Sequence, residues 1–145
     1  MVNAFWHRRD ADGCSTSTPA ACALLKAAAA AGGPGFRILR GGYSAVDAAA
    51  HLAPHCGMTN AQLKMHVGLV VPRDAATGAA CARMRVGNET RAWEEGRVLF
   101  FDDSWEHEVW NDCDATRAVF QLVFVHPDLA PDDARRSPFL SLGTH

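Results

Sequence analysis

The chain has 145 residues, 48% of them hydrophobic, with 14 Lys+Arg against 16 Asp+Glu, a formal net charge of −2 and an isoelectric point near 6.4. That length and apolar content suit one domain with its own core, and the mild acidity argues against nucleic acid or an anionic membrane as partner. No run approaches the ~18 strongly apolar residues needed to span a bilayer, and the start, Met1 to Arg9, carries no signal-peptide pattern. The expectation is a soluble chain without membrane contact.

In chain order, Thr18-Pro19 reads as a helix start, with Thr as N-cap and Pro in the first turn. The Ala/Leu/Lys-rich run from Ala20 to Ala31 follows, and Gly32-Gly33-Pro34-Gly35 stops it. From there β-type runs alternate with turns: Phe36–Val46, Leu63–Val71, Ala80–Val86, Arg97–Phe101 and Arg117–Val125. Trp93-Glu94-Glu95-Gly96 reads as a tight turn, and Asp102 to Thr116 as a polar segment carrying His107. One helix followed by many short strands predicts a mainly β fold, a jelly roll or cupin-like barrel with an N-terminal helix. It is read as one domain over 1–145, with a helical lead-in to about 35 and the barrel from about 36 to about 138.

Five cysteines leave the redox state open. Cys14 and Cys22 flank a short polar loop at the helix entry, where a disulfide is feasible. Cys56, Cys81 and Cys113 lack CxxC spacing, which argues against a structural zinc site. Five free thiols in a cytosolic protein is the alternative. Asn88-Glu89-Thr90 is a glycosylation sequon, meaningful only in a secretory compartment.

Two histidines, His55 and His107, stand 52 positions apart among polar or small neighbours in strand-like sequence. A neutral imidazole is the commonest ligand for a first-row transition metal, and a barrel brings distant strands together. Two satisfied structural histidines are the plainer reading. In Leu63-Lys64-Met65-His66-Val67, strand periodicity puts Lys64 and His66 on one face and the apolar residues on the other. Arg117 opens a strand that is apolar on both faces, which places a cation near a barrel mouth, where it calls for an anionic partner. With Ser44 these side chains form a candidate carboxylate-binding set. Exposed strand-end cations are the alternative.

The runs Pro54-His55-Cys56-Gly57-Met58-Thr59-Asn60, Lys64 to Pro72, Gly87 to Gly96 and Phe101 to Trp110, with the ending His126-Pro127-Asp128-Leu129, resemble the aspartyl/asparaginyl β-hydroxylases. The likeness runs in order from roughly Phe36 to Pro138, and more weakly back to Trp6. It implies an iron(II)- and 2-oxoglutarate-dependent dioxygenase on a double-stranded β-helix, consuming O2 and hydroxylating the β-carbon of Asp or Asn in a peptide or protein. His55 and His107 would be catalytic and hold the iron, while Ser44, Lys64, His66 and Arg117 would hold 2-oxoglutarate.

Oxygenases of this kind commonly add a carboxylate two residues after the first histidine, a position occupied here by Gly57. The resemblance implies two protein ligands plus water, so that an aspartate introduced at 57 would add a third. Asp102, Asp103, Glu106 and Glu108 are the nearby carboxylates that would otherwise fill the gap. Cys14 and Cys22 fall where the family carries a disulfide-linked loop.

Three departures bear on the substrate. Lys64 stands where the family has Arg, which turns a bidentate grip into a point charge. Gln62 stands where a second Arg would hold an acidic side chain, so Gln62 and Lys64 are the candidate substrate contacts. The loop Arg73 to Ala80 is long, and much of the family's helical N-terminal part is missing. The alternatives are a related oxygenase acting on a small amino acid or lipid acyl chain, and a non-catalytic cupin-like binding module. As part of a longer protein the resemblance implies the endoplasmic reticulum lumen, and otherwise the cytoplasm.

Overall fold

The structure, a computed structural model, describes residues 3–6, 18–32 and 36–130. Among the described residues there are one helix, α1 (Pro19–Ala31), and nine strands: β1 (Asn3–Trp6), β2 (Ile38–Val46), β3 (Ala50–His55), β4 (Gln62–Val70), β5 (Ala82–Val86), β6 (Glu89–Ala92), β7 (Val98–Phe101), β8 (His107–Asn111) and β9 (Arg117–Val125). They build two antiparallel sheets, β1-β2-β9-β4-β7 and β3-β8-β5-β6. The expected double-stranded β-helix, with its preceding helix, is therefore present.

The inner faces meet over one core. Val46, Ala82, Met84, Trp93, Val109 and Val119 are buried together, with Leu52, Leu99 and Phe101 packed against them. Strand β9 shows why a sequence apolar on both faces is central. Val119 and Val123 point into the core, while Phe120, Leu122 and Phe124 fill the opposite face. α1 lies on that outer face, and Gly41 gives it room, because a Cβ there would stand 2.8 Å from Leu25 and 2.9 Å from Leu122.

Four strands escape the sequence reading: β1, β3, β6 and β8. β3 holds Pro54 and two alanines, and β8 (His-Glu-Val-Trp-Asn) looks polar because two of its three inward residues are a histidine and an asparagine. The polar segment expected from Asp102 to Thr116 thus contains a core strand, with His107, Val109 and Asn111 turned inward. Asn111 ties the β2–β3 turn to the β8–β9 loop, its Nδ2 donating to the carbonyls of Val46, Asp47 and Ala115 at 2.9–3.0 Å.

A disulfide joins Cys81, at the entry to β5, to Cys113 in the β8–β9 loop. This overturns the reading of both as scattered free thiols. Sequence spacing could not pair them, since 32 positions separate them and the fold alone brings their Cα atoms to 5.2 Å. Cys56 is free and exposed. The expected Cys14–Cys22 pairing lies outside the described residues, because Cys14 is not among them. Among the described residues no helix is long and apolar enough to cross a membrane.

Candidate functional site

His55 ends β3 and His107 begins β8, and the two are direct cross-strand partners. The register explains how. Leu52 pairs with Val109, yet His55 pairs with His107, so β3 spends three residues where β8 spends two. A regular ladder would oppose Pro54 to His107. The bulge re-aims His55 instead, a recurrent device beside functional sites. The imidazole centroids are 4.2 Å apart.

Both rings are oriented in the same way. His55 Nδ1 donates to the carbonyl of Ala53 at 2.8 Å, and His107 Nδ1 to that of Trp105 at 2.9 Å. A carbonyl only accepts, so each Nδ1 carries the proton and each Nε2 keeps its lone pair. That tautomer suits a metal ligand, and a backbone carbonyl on the other nitrogen is its usual support. Burial holds the His107 pKa below the ordinary value, His55 and Lys64 adding to it against the pull of the Trp105 carbonyl. Burial thus favours the neutral form of His107, the form in which an imidazole can act as a ligand.

No third His, Cys, Asp or Glu completes a metal cluster with this pair among the described residues. The neighbouring carboxylates have other work. Asp102 accepts from the Ser104 amide at 2.9 Å. Glu106 and Glu108 turn outward to Arg85 at 2.8 and 3.0 Å, and Glu108 also meets His51. Asp103 is buried and pairs with Lys64 at 2.9 Å. It also fills the space beside Gly57, whose amide donates to the Asp103 carbonyl. A Cβ on Gly57 would lie 2.4 Å from Asp103 Oδ2 and 2.9 Å from its carbonyl oxygen. A side chain at 57 collides with Asp103, so the expectation that an aspartate introduced there simply adds a ligand fails on space.

The other candidates gather on the inner face of the larger sheet. Gln62, Lys64 and His66 lie along β4, opposite Val125, Val123 and Gln121 of β9. Ser44, on β2, pairs with Val119, two positions from Arg117. Arg117 is no exposed strand end: it is 2% exposed, and its Nε and Nη1 find no hydrogen-bond partner among the described residues. Its guanidinium lies 4.3 Å from the centre of the Trp93 ring, and desolvation pushes its pKa down to about 10. Lys64, unlike Arg117, already has its anion in Asp103.

His66 is buried, with its pKa lowered to about 3, chiefly by desolvation. Its Nε2 meets Gln121 Oε1 at 3.0 Å, leaving Nδ1 without a partner. A half-turn of the Gln121 amide moves the imidazole proton to Nδ1, so this ring can present a donor or an acceptor to the cluster. Buried polar atoms are normally bonded. Here six such atoms are left over among the described residues: two acceptors, Asp103 Oδ1 and Asn111 Oδ1, and, in one neighbourhood, Arg117 Nε and Nη1, His66 Nδ1 and Trp93 Nε1. Such a donor-rich, water-poor set suits an anion with several oxygens.

Trp93 and Gln121 are the members that sequence reasoning missed. In sequence Trp93 reads as part of a turn motif, although a tryptophan ring is rarely left idle at a surface turn. It is 1% exposed. Gly68 makes its placement possible: the Glu94 carbonyl comes within 2.2 Å of where a Cβ on Gly68 would be.

A family model described as aspartyl/asparaginyl beta-hydroxylase matches residues 4–127. The mouse protein of that name is 40% identical over 131 residues, which cover 90% of this chain and 16% of the mouse protein. The human protein is 45% identical over 96 residues, 66% of this chain and 12% of the human one. An ornithine lipid ester-linked acyl 2-hydroxylase from Rhizobium tropici is 40% identical over 89 residues, 61% of this chain and 30% of that protein. The chain therefore spans under a third of each of these relatives. A cupin domain from Schizosaccharomyces pombe aligns with a TM-score of 0.49 at 11% identity, over 70% of this chain and 69% of that one.

Proposed function

Because this chain belongs to the aspartyl/asparaginyl beta-hydroxylase family, we propose that it is an iron(II)- and 2-oxoglutarate-dependent dioxygenase that hydroxylates the β-carbon of Asp or Asn in a peptide or protein. The observation that carries this reading is the cross-strand imidazole pair, each ring anchored through Nδ1 and open at Nε2. His55 and His107 are the residues to hold iron. The bound metal, with 2-oxoglutarate and O2, supplies the oxidising equivalent that inserts oxygen into a C–H bond.

The protein's part is positional. Arg117 takes the distal carboxylate of 2-oxoglutarate through its fork of N–H groups. Ser44 adds a hydroxyl donor from β2, and His66 an Nδ1–H once the Gln121 amide turns over. The leftover buried donors support this assignment, since an anion satisfies what the protein leaves unbonded. Asp103 keeps Lys64 oriented beside the histidine pair, which makes it a neighbour of the reacting centre rather than a free anchor.

One observation favours a second reading, hydroxylation of a lipid acyl chain. Gln62 is neutral and Lys64 is already paired, so the two positions suited to an acidic side chain offer no free cation. A relative named as an acyl hydroxylase is as similar in identity as the mouse protein, over a shorter stretch. The test is succinate release with Fe(II) and 2-oxoglutarate, comparing Asp/Asn peptides with hydroxyl-free acyl lipids and reading the mass gain of one oxygen. Turnover with peptide supports the first reading and turnover with lipid the second. Succinate release unchanged in His55→Ala or His107→Ala refutes the metal assignment common to both.

A further inference from the structure

Trp93 has no role in the chemistry described so far, yet it sits at the centre of the buried, unbonded group. We propose that Trp93 is the positioning residue of the co-substrate pocket: its indole face holds the Arg117 guanidinium in place, and its Nε1–H is a further donor to the anion that Arg117 receives. This rests on the 2-oxoglutarate reading above and adds a determinant of how tightly that anion is held.

Three observations carry it. Arg117 is buried without an anionic partner among the described residues, and the Trp93 ring, 4.3 Å away, is the group it stacks on. A guanidinium over an indole face is held electrostatically, most strongly when water is excluded. An arginine has much rotamer freedom to lose, so a ring that limits it in advance raises its affinity for the ligand. Next, Trp93 Nε1 is buried and unbonded, whereas a buried indole N–H usually finds an acceptor. The same ring lies 6.0 Å from that of His66 at 24°. The indole thus lies against Arg117 and near His66, and a carboxylate would supply acceptors to Arg117, to Trp93 and, once the Gln121 amide turns over, to His66.

The third observation is the mounting. Gly68 N–H donates to the Arg97 carbonyl at 3.0 Å, Gly96 N–H donates to the Gly68 carbonyl at 2.9 Å, and the Val71 amide donates to Glu95 Oε1 at 3.0 Å. Gly96 turns the chain with φ +72°. These bonds fasten the segment after Trp93 to β4, the strand that carries His66, so the indole is held by the same strand as the pocket. Packing alone needs a large ring here. It does not need a guanidinium on its face and a bare N–H beside it.

The test uses the full chain, Mn(II) as the metal and 2-oxoglutarate as the ligand, measured by calorimetry without O2. Trp93→Phe keeps a ring face and loses the N–H, and its affinity for 2-oxoglutarate is expected to fall about tenfold. Trp93→Leu loses both, for a fall of roughly 30-fold or more. Mn(II) affinity without 2-oxoglutarate should stay within about twofold in each variant, since neither histidine is touched. In an Arg117→Ala background the loss from Trp93→Phe should shrink to about half or less on a logarithmic scale, because the two residues act as a unit. In the ligand-free protein, ring current should displace the Arg117 Nε–H resonance, and Trp93→Leu should abolish that displacement. If Trp93→Leu does not fold, Trp93→Phe and the wild-type resonance carry the test. Unchanged 2-oxoglutarate affinity in Trp93→Phe, or equal loss of Mn(II) and 2-oxoglutarate binding, overturns the proposal. Failure of the wild type to bind 2-oxoglutarate at all overturns the reading beneath it as well.

Discussion

Replacing Arg117 with methionine should move stability and co-substrate affinity in opposite directions. In the ligand-free protein the guanidinium is charged, 2% exposed and without a hydrogen bond at Nε or Nη1. A pKa pushed by burial from the ordinary guanidinium range down to about 10 corresponds to a charged-state cost of about 3 kcal/mol. The Trp93 face offsets about 1–2 kcal/mol of that. Methionine fills similar space without a charge, and such replacements are often neutral or stabilising by about 1–4 kcal/mol. Arg117→Met is therefore expected to leave urea unfolding of the unliganded protein unchanged or to raise its free energy by about 1 kcal/mol. The bound state reverses the sign: losing one partner of a desolvated charge pair removes about 2–5 kcal/mol, or about 30-fold to several-thousand-fold in affinity for 2-oxoglutarate. Arg117→Lys should recover only part of this, because an ammonium cannot reproduce the fork. Denaturation of the apo protein and titration of 2-oxoglutarate with Mn(II) present read the two effects separately. A variant about 2 kcal/mol less stable with wild-type affinity would show that the guanidinium is a structural group and would refute the reasoning.

Gly57→Ala should lower unfolding free energy by about 1–3 kcal/mol, because its Cβ meets the fixed carbonyl of Asp103 as well as the carboxylate; stability equal to wild type would mean that the β3–β4 loop moves freely. His66 gives a pH signature. Its folded pKa, about 3, lies below the unfolded value of 6.5, so the unfolded chain binds the proton first. The stability it contributes is complete above pH 6.5 and falls by about 1.4 kcal/mol per pH unit as pH drops from 6.5 towards 3. His66→Gln should flatten that part of the denaturation profile, and an unchanged slope would count against a buried neutral ring. Removing the Cys81–Cys113 bond in the Cys81→Ala/Cys113→Ala double variant should cost about 3–4 kcal/mol, from closure entropy over 32 positions. Calorimetric unfolding checks it, and a loss below about 1 kcal/mol would contradict the closure-entropy account.

The helix and strands β2, β4, β5, β7 and β9 were legible because their sequences are strongly apolar or bounded by Gly and Pro. Strands β3 and β8, which carry the two histidines, were not. β3 contains a proline and a bulge, and three of the five residues of β8 are imidazole, carboxylate or amide, two of them turned inward. His55, His107, His66 and Arg117 stood out as chemistry-bearing types at strand positions. What the sequence could not carry was pairing in space: the Lys64–Asp103 ion pair, the Trp93 face under Arg117 and the Cys81–Cys113 bridge join residues 39, 24 and 32 positions apart. Each depends on which inner face a strand presents and what stands across the core. Trp93 was the avoidable miss, since the size of its ring argues against a surface turn.

The bulged register of β3 against β8 also sets the order of events as the protein is made. A ribosome delivers His55 well before His107, and three further strands, β4 to β6, emerge before β7 and β8 complete the pairing. A nascent chain halted after β7 lacks His107 and so holds only one member of the cross-strand pair. A metal held by both histidines could not template the early barrel; the barrel must first close a long loop, a slow step for non-local β pairing. If the pair holds a metal as proposed, capture would come at the end of folding, in a barrel that has already closed.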